Sequence, residues 1–222
     1  MTSDTFEDWV RYIFDHPVTK PEWHWGENVD PWLGILSSER IVEYLTKFFS
    51  SPTTYLNSFS DAQLNQGLDY LVNASCGDYF RELYDSSVAW TKRRDGIQAI
   101  SKLYTDIFAR RCTQHLSHLD EKGTSPLNRI CYMWWDIVPY PPVFWKKDTE
   151  EEVVTECLAV MHHALSLDSI ACQESGLHGL GHFSRYRPQE VCEIVDGFLR
   201  DRSSIRAELR AYAECARGGG VQ

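Results

Sequence analysis

The sharpest chemical pattern in this 222-residue chain is Glu174-x3-His178-x3-His182. Residues four apart lie above one another on an α-helix, so a carboxylate and two imidazoles share one flank, and such a trio can begin a metal site. On a helical wheel Ile170, Leu177, Leu180 and Gly181 form the buried arc. Glu174 sits at its edge, while His178 and His182 turn progressively outward. The spacing is not that of HExxH, and no fourth ligand is identifiable, although His162 and His163 are potential extra ligands. Histidines on amphipathic helices usually pack or meet solvent. No metal and no other cofactor is therefore expected, and Glu174, His178 and His182 are the candidate set should an ion be held. A second string, Cys112-x2-His115-x2-His118, spreads over about 120° of a helix, which is poor convergence for one ion.

Two further groups of side chains can recognise a partner. Arg202, Arg206 and Arg210 stand at i, i+4 and i+8, a row able to grip carboxylates or phosphates by forked hydrogen bonds. Its plainer reading is a solvated face paired with Glu208 and Glu214. Tyr132, Trp134, Trp135, Tyr140, Phe144 and Trp145 form a dense aromatic interval, joined by Trp23, Trp25 and Trp32. These rings can line a pocket or a protein-binding surface, though most side chains of this kind are core. Asp136 beside them is either a buried polar anchor or an acid. His178, His182, Arg202, Arg206, Arg210, Trp134 and Trp135 are thus the expected partner-binding residues, and no catalytic residue is assigned. GLHGLG, from Gly176 to Gly181, has the wrong order and no preceding strand for a dinucleotide loop, so close helix packing explains it better.

Helix signals run from end to end. Ser3 or Asp4 can cap a first helix through about Asp15; 16–32 reads as an ordered, aromatic loop. Ser37 opens the next helix, which ends at Ser-Pro, and Ser60 with Gln63 makes a capping box. Helices are expected over 78–84 and 92–118, followed by a turn-rich stretch at 120–128 and a short apolar element. Pro139, Pro141 and Pro142 mark the best place for a division, giving a single all-α domain over 1–222 with a possible split into 1–138 and 148–217. From residue 148 four successive helices are separated by short breaks, which makes neighbours antiparallel.

Composition narrows the class. The chain is 43% hydrophobic and 24% charged, neither disordered nor membrane-spanning in character. Charges interrupt every apolar pair near the start, and seven cysteines show no CxxC pairing, so a cytoplasmic protein with reduced thiols is expected. Net charge is −10, and residues 1–80 hold four Lys/Arg against twelve Asp/Glu, which speaks against nucleic acid as a partner.

Ile170 and Ile205 lie 35 positions apart, and the same offset pairs Gly176 with Ala211, Leu177 with Tyr212, Leu180 with Cys215 and Gly181 with Ala216. Asp168, Ile170, Gly176, Leu177, Leu180 and Gly181, then Asp201, Ile205, Arg206 and Ala211, resemble the HEAT repeat pattern over about 150–217. The first unit departs from it, with Ala171 where the pattern has arginine. This resemblance implies an α-solenoid with a concave binding face and no particular reaction. A non-enzymatic binding scaffold for a protein partner, with the acidic N-terminal part suited to a basic one and an immunity-type role included, is the leading expectation. The alternatives are a HEAT-like nucleic-acid enzyme and a metal-dependent helical hydrolase.

Overall fold

The computed structural model describes residues 5–26, 36–138, 151–202 and 204–221. These are helical, without strands, in an antiparallel array. The expected division at Pro139, Pro141 and Pro142, and the rings of Trp32, Tyr140, Phe144 and Trp145, lie outside the described residues.

Helix α1 (Phe6–Phe14) is capped by Thr5, whose hydroxyl accepts from the Asp8 N–H; Ser3 and Asp4 lie outside the described residues. Its buried face, Phe6, Trp9, Val10, Ile13 and Phe14, packs on α4 (Asp61–Val72). Gly67 permits that approach, since a Cβ there would stand 2.3 Å from the Phe14 ring. Ser37 caps α2 (Ser38–Ser50) and the Ser60/Gln63 box caps α4, as their sequences predict. Pro52 does more than end a helix: it supplies the first turn of short α3 (Pro52–Leu56), where its missing N–H costs nothing. In the described part of the aromatic loop after α1, residues 15–26, the His16 ring stacks on Trp23 at 3.7 Å.

Two expected boundaries shift. The 78–84 element is a 3-10 helix, Tyr79–Tyr84, entered through a left-handed Asp78. The helix expected over 92–118 is α5 (Trp90–Leu103), a π turn (Tyr104–Phe108) and a last turn, α6 (Ala109–Arg111). Beyond it the backbone N–H groups find side chains instead of helical carbonyls. Thr113 donates to Asn128, Leu116 to Glu121, and Ser117 and His118 to Glu174.

Helix α7 (Pro126–Ile137) then leads to α8 (Glu151–Ser166), α9 (Ile170–Phe183), α10 (Pro188–Asp201) and α11 (Ala207–Arg217). One continuous hydrophobic cluster runs from α1 to α11. Helix α9 is its axis: α7, α8, α10, α11 and the π turn all touch it, and twelve of its fourteen residues are buried, so it has no outward face. Among the described residues no helix is long and apolar enough to cross a membrane. Cys112, Cys131 and Cys172 lie in this core, and all seven thiols are free.

Candidate functional site

Glu174, His178 and His182 follow one another along one flank of α9, as their spacing predicts, but each meets a different partner. Glu174 is fully buried. Its carboxylate accepts the Ser117 N–H at 2.9 Å, the His118 N–H at 3.0 Å and the His118 ring Nδ1–H at 2.6 Å. That use of the carboxylate fastens residues 117–119 to the core and removes Glu174 from any ligand set shared with the two histidines. His118 continues the row by stacking on Tyr212 of α11, centroids 4.2 Å apart.

His178, expected to turn outward, is 1% exposed, because α7 and α11 cover the flank it occupies. Its Nδ1 lies 2.6 Å from the Tyr212 hydroxyl, which donates onward to the Tyr132 hydroxyl of α7 at 3.3 Å. A hydroxyl whose proton serves Tyr132 accepts from the imidazole, so His178 carries its proton on Nδ1. Its Nε2 therefore turns a lone pair toward His182, whose Nε2 stands 3.0 Å away. Burial drives the pKa of His178 down to about 3, with His182 and His118 adding to the effect. Burial also lowers His182, against the pull of Asp136. Both rings are neutral at neutral pH.

The open end of the chain is formed by His182 and Asp136, with His182 Nε2 3.4 Å from the Asp136 carboxylate. Their side chains are 22% and 41% exposed. Asp136 reaches this point because α7 runs tightly along α9: a Cβ on Gly179 would stand 2.6 Å from the Trp135 side chain. Gly176 makes the same accommodation to α8, where a Cβ would meet the Met161 carbonyl at 2.9 Å. The glycines of GLHGLG are thus packing glycines. His182 also lines an open cleft of about 520 Å³ with Arg185, Tyr186, Gly219 and Val221.

The remaining expected partner-binding residues are mostly consumed inside the fold. Trp134 and Trp135 are fully buried, Trp134 within a cage of Phe49, Phe80 and Phe108 and Trp135 against Phe183, so neither ring offers a docking surface. The arginine row is broken, since α10 ends at Asp201 and α11 begins at Ala207. Arg202 donates to the carbonyls of Ser166 and Leu167, closing the end of α8. Arg206 holds Glu121 with two nitrogens, at 2.5 and 3.3 Å. Arg210 is half-buried on α11 and also engaged. Cys112 and His118 point to separate surroundings, a thiol in the core and a ring on Glu174, in keeping with a structural string.

Tyr212 and Tyr132 were not singled out by sequence as partners of His178. Two signals could have found them: Tyr132 and Asp136 are four apart on α7, and the repeat offset sets Tyr212, an aromatic with a polar tip, where the first unit has Leu177. No protein-family model matches the chain, and neither a curated protein nor a solved structure matches it.

Proposed function

We propose that this chain is a non-catalytic helical binding protein whose partner is another protein. The observation that carries this reading is an open groove of about 690 Å³, walled by residues 18–22, α4, residues 117–126 and the outer face of α7. Val18, 56% exposed, forms part of its rim, and Asn65, Tyr132 and Met133 line it. A groove whose exposed edge mixes Val18 and Pro126 with Lys20, Asp120 and Arg129, over a floor of Gln66, Asn128 and Tyr132, offers an inserted peptide or loop both apolar contact and hydrogen bonds. The net charge of −10 favours a basic partner, and neutralising a basic toxin is a role of this kind. The paired hairpins α8–α9 and α10–α11, with α9 on α11, are in keeping with HEAT-like stacking. The docking surface proposed here replaces the strip of His178, Trp134, Trp135, Arg202 and Arg206, whose members are buried or paired within the fold.

The test is co-purification from the native background followed by cross-linking mass spectrometry, then binding isotherms for the captured protein with Val18→Asp and Asn65→Trp. Cross-links at 18–22 and 117–133, with affinity reduced at least tenfold by Asn65→Trp, support the reading. Equal affinity in a correctly folded groove-filled variant rejects the groove.

A further inference from the structure

We propose that Asp136, His178 and His182 form a binding site for one divalent transition-metal ion. Their ligand atoms all lie within 4.8 Å of one another. Ligands about 2.0–2.1 Å from a tetrahedral ion sit about 3.3 Å apart. Two of the three separations, 3.0 Å between the two Nε2 atoms and 3.4 Å from His182 Nε2 to the Asp136 oxygen, bracket that value, and the third is within 4.8 Å. The half-exposed Asp136 side chain has room to complete the approach.

Three features make this a prepared site and not a chance grouping. First, a metal-binding imidazole directs its free nitrogen inward and donates the other N–H to a supporting acceptor. His178 does this, with Tyr212 as acceptor and Tyr132 behind it. Second, a ligand histidine must present a lone pair, and the two Nε2 atoms, 3.0 Å apart, share one proton between them, so one lone pair already points into the site. Third, His178 and His182 are fixed one turn apart on a helix with twelve of its fourteen residues buried, and Gly179 admits the tight contact that brings Asp136 to them.

Two imidazoles and a carboxylate favour zinc, cobalt, nickel or iron over magnesium or calcium, which take oxygen ligands. In the structure the hydrogen bond between the rings requires His182 to carry its proton on Nε2. Binding an ion requires the Nδ1–H tautomer of His182, reached when Nε2 gives its proton to solvent and Nδ1 takes one up, leaving two lone pairs for the metal. With three protein ligands the ion keeps a position facing the cleft that holds Arg185 and Tyr186. The site goes beyond the docking role proposed above and does not depend on it: α7 borders both, but Asp136, His178 and His182 do not line the docking groove.

The test is a titration of the metal-free full chain with Co²⁺, read by its visible absorption, and with Zn²⁺ against a chromophoric chelator. The expected result is one ion per chain, with affinity at least tenfold weaker in His182→Ala and in Asp136→Asn and unchanged in His162→Ala, an exposed histidine on α8. On the unaltered chain, zinc should protect His182 from carbethoxylation, mapped by mass spectrometry, so the proposal does not hang on variants that must fold. A wild-type affinity no better than that of His182→Ala, or His182 modified equally fast with and without zinc, would overturn it.

Discussion

The two ends of the α9 flank each hold a carboxylate–histidine pair, with the carboxylates in opposite conditions. At the inner end the Glu174 carboxylate has no solvent exposure and is occupied by three donors, two of them from His118, whose ring is 17% exposed. At the outer end Asp136, 41% exposed, meets His182, 22% exposed, at a looser 3.4 Å. A carboxylate–histidine contact is therefore not by itself a functional sign. What distinguishes the two is spare capacity: the inner carboxylate is spent on holding a loop, and the outer one retains room for another ligand.

The widest contrast should come from removing each carboxylate in turn. Glu174→Ala leaves two backbone N–H groups and an imidazole N–H buried without an acceptor, and should cost about 3–5 kcal/mol in urea unfolding. Asp136→Asn on the metal-free chain should stay within about 0.5 kcal/mol of wild type, as exposed substitutions do. Comparable losses at both positions would erase the distinction. Next in size is Gly179→Ala. Its Cβ meets Trp135 at 2.6 Å, so overpacking should cost about 1–3 kcal/mol, and pushing α7 away should weaken the metal affinity that depends on Asp136.

Tyr212→Phe removes the acceptor for His178 while keeping the ring that stacks on His118. We expect about 1 kcal/mol of stability lost. Zinc affinity should fall about 10–100-fold, the usual range for loss of a supporting group. An unchanged zinc affinity would show that the His178 tautomer is set by something other than Tyr212. The smallest effect belongs to Glu121, an intermediate case. Arg206 foremost, and then the Leu116 N–H, hold its pKa down to about 2 from an ordinary 4.5. A carboxylate whose folded pKa is lowered contributes above its ordinary value and ceases to contribute as pH falls toward the folded one. Urea midpoints of wild type and Glu121→Gln should therefore differ at neutral pH and converge as pH drops from 4.5 toward 2.

Local features were legible because their causes are local. Ser37, Ser60 and Gln63 announce helix starts through bonds three residues long, and the shared flank of Glu174, His178 and His182 follows from helical pitch alone. Exposure was misread for the opposite reason. The wheel of α9 distinguishes apolar from polar residues, but Tyr212 and Tyr132, which bury His178 while satisfying it, come from 34 residues after it and 46 before it. Residues 112–119 show the same limit. Nothing near them in sequence says that Asn128, Glu121 and Glu174 will take their N–H groups and end the helix at Arg111. The arginine row failed because a periodic string was carried across the gap between α10 and α11.

The π turn at Tyr104–Phe108 fits one more residue into its stretch of rod than an α-turn would. Ahead of it, α5 faces α2 and α8; within it, side chains face α3, α7 and α9, and the Tyr104 hydroxyl meets Ser175 at 2.7 Å. The rod thus has two phases, joined where the winding changes. In a family of descendants, single-residue insertions and deletions would be filtered unevenly along it. One removed residue between 104 and 108 could restore ordinary winding and leave α5 and α6 in the phases they already hold, whereas one removed elsewhere in the rod would turn the part beyond it by about 100°. Length on either side of the π turn is a coordinate of the whole array, and the π turn is the place where one residue can be spared.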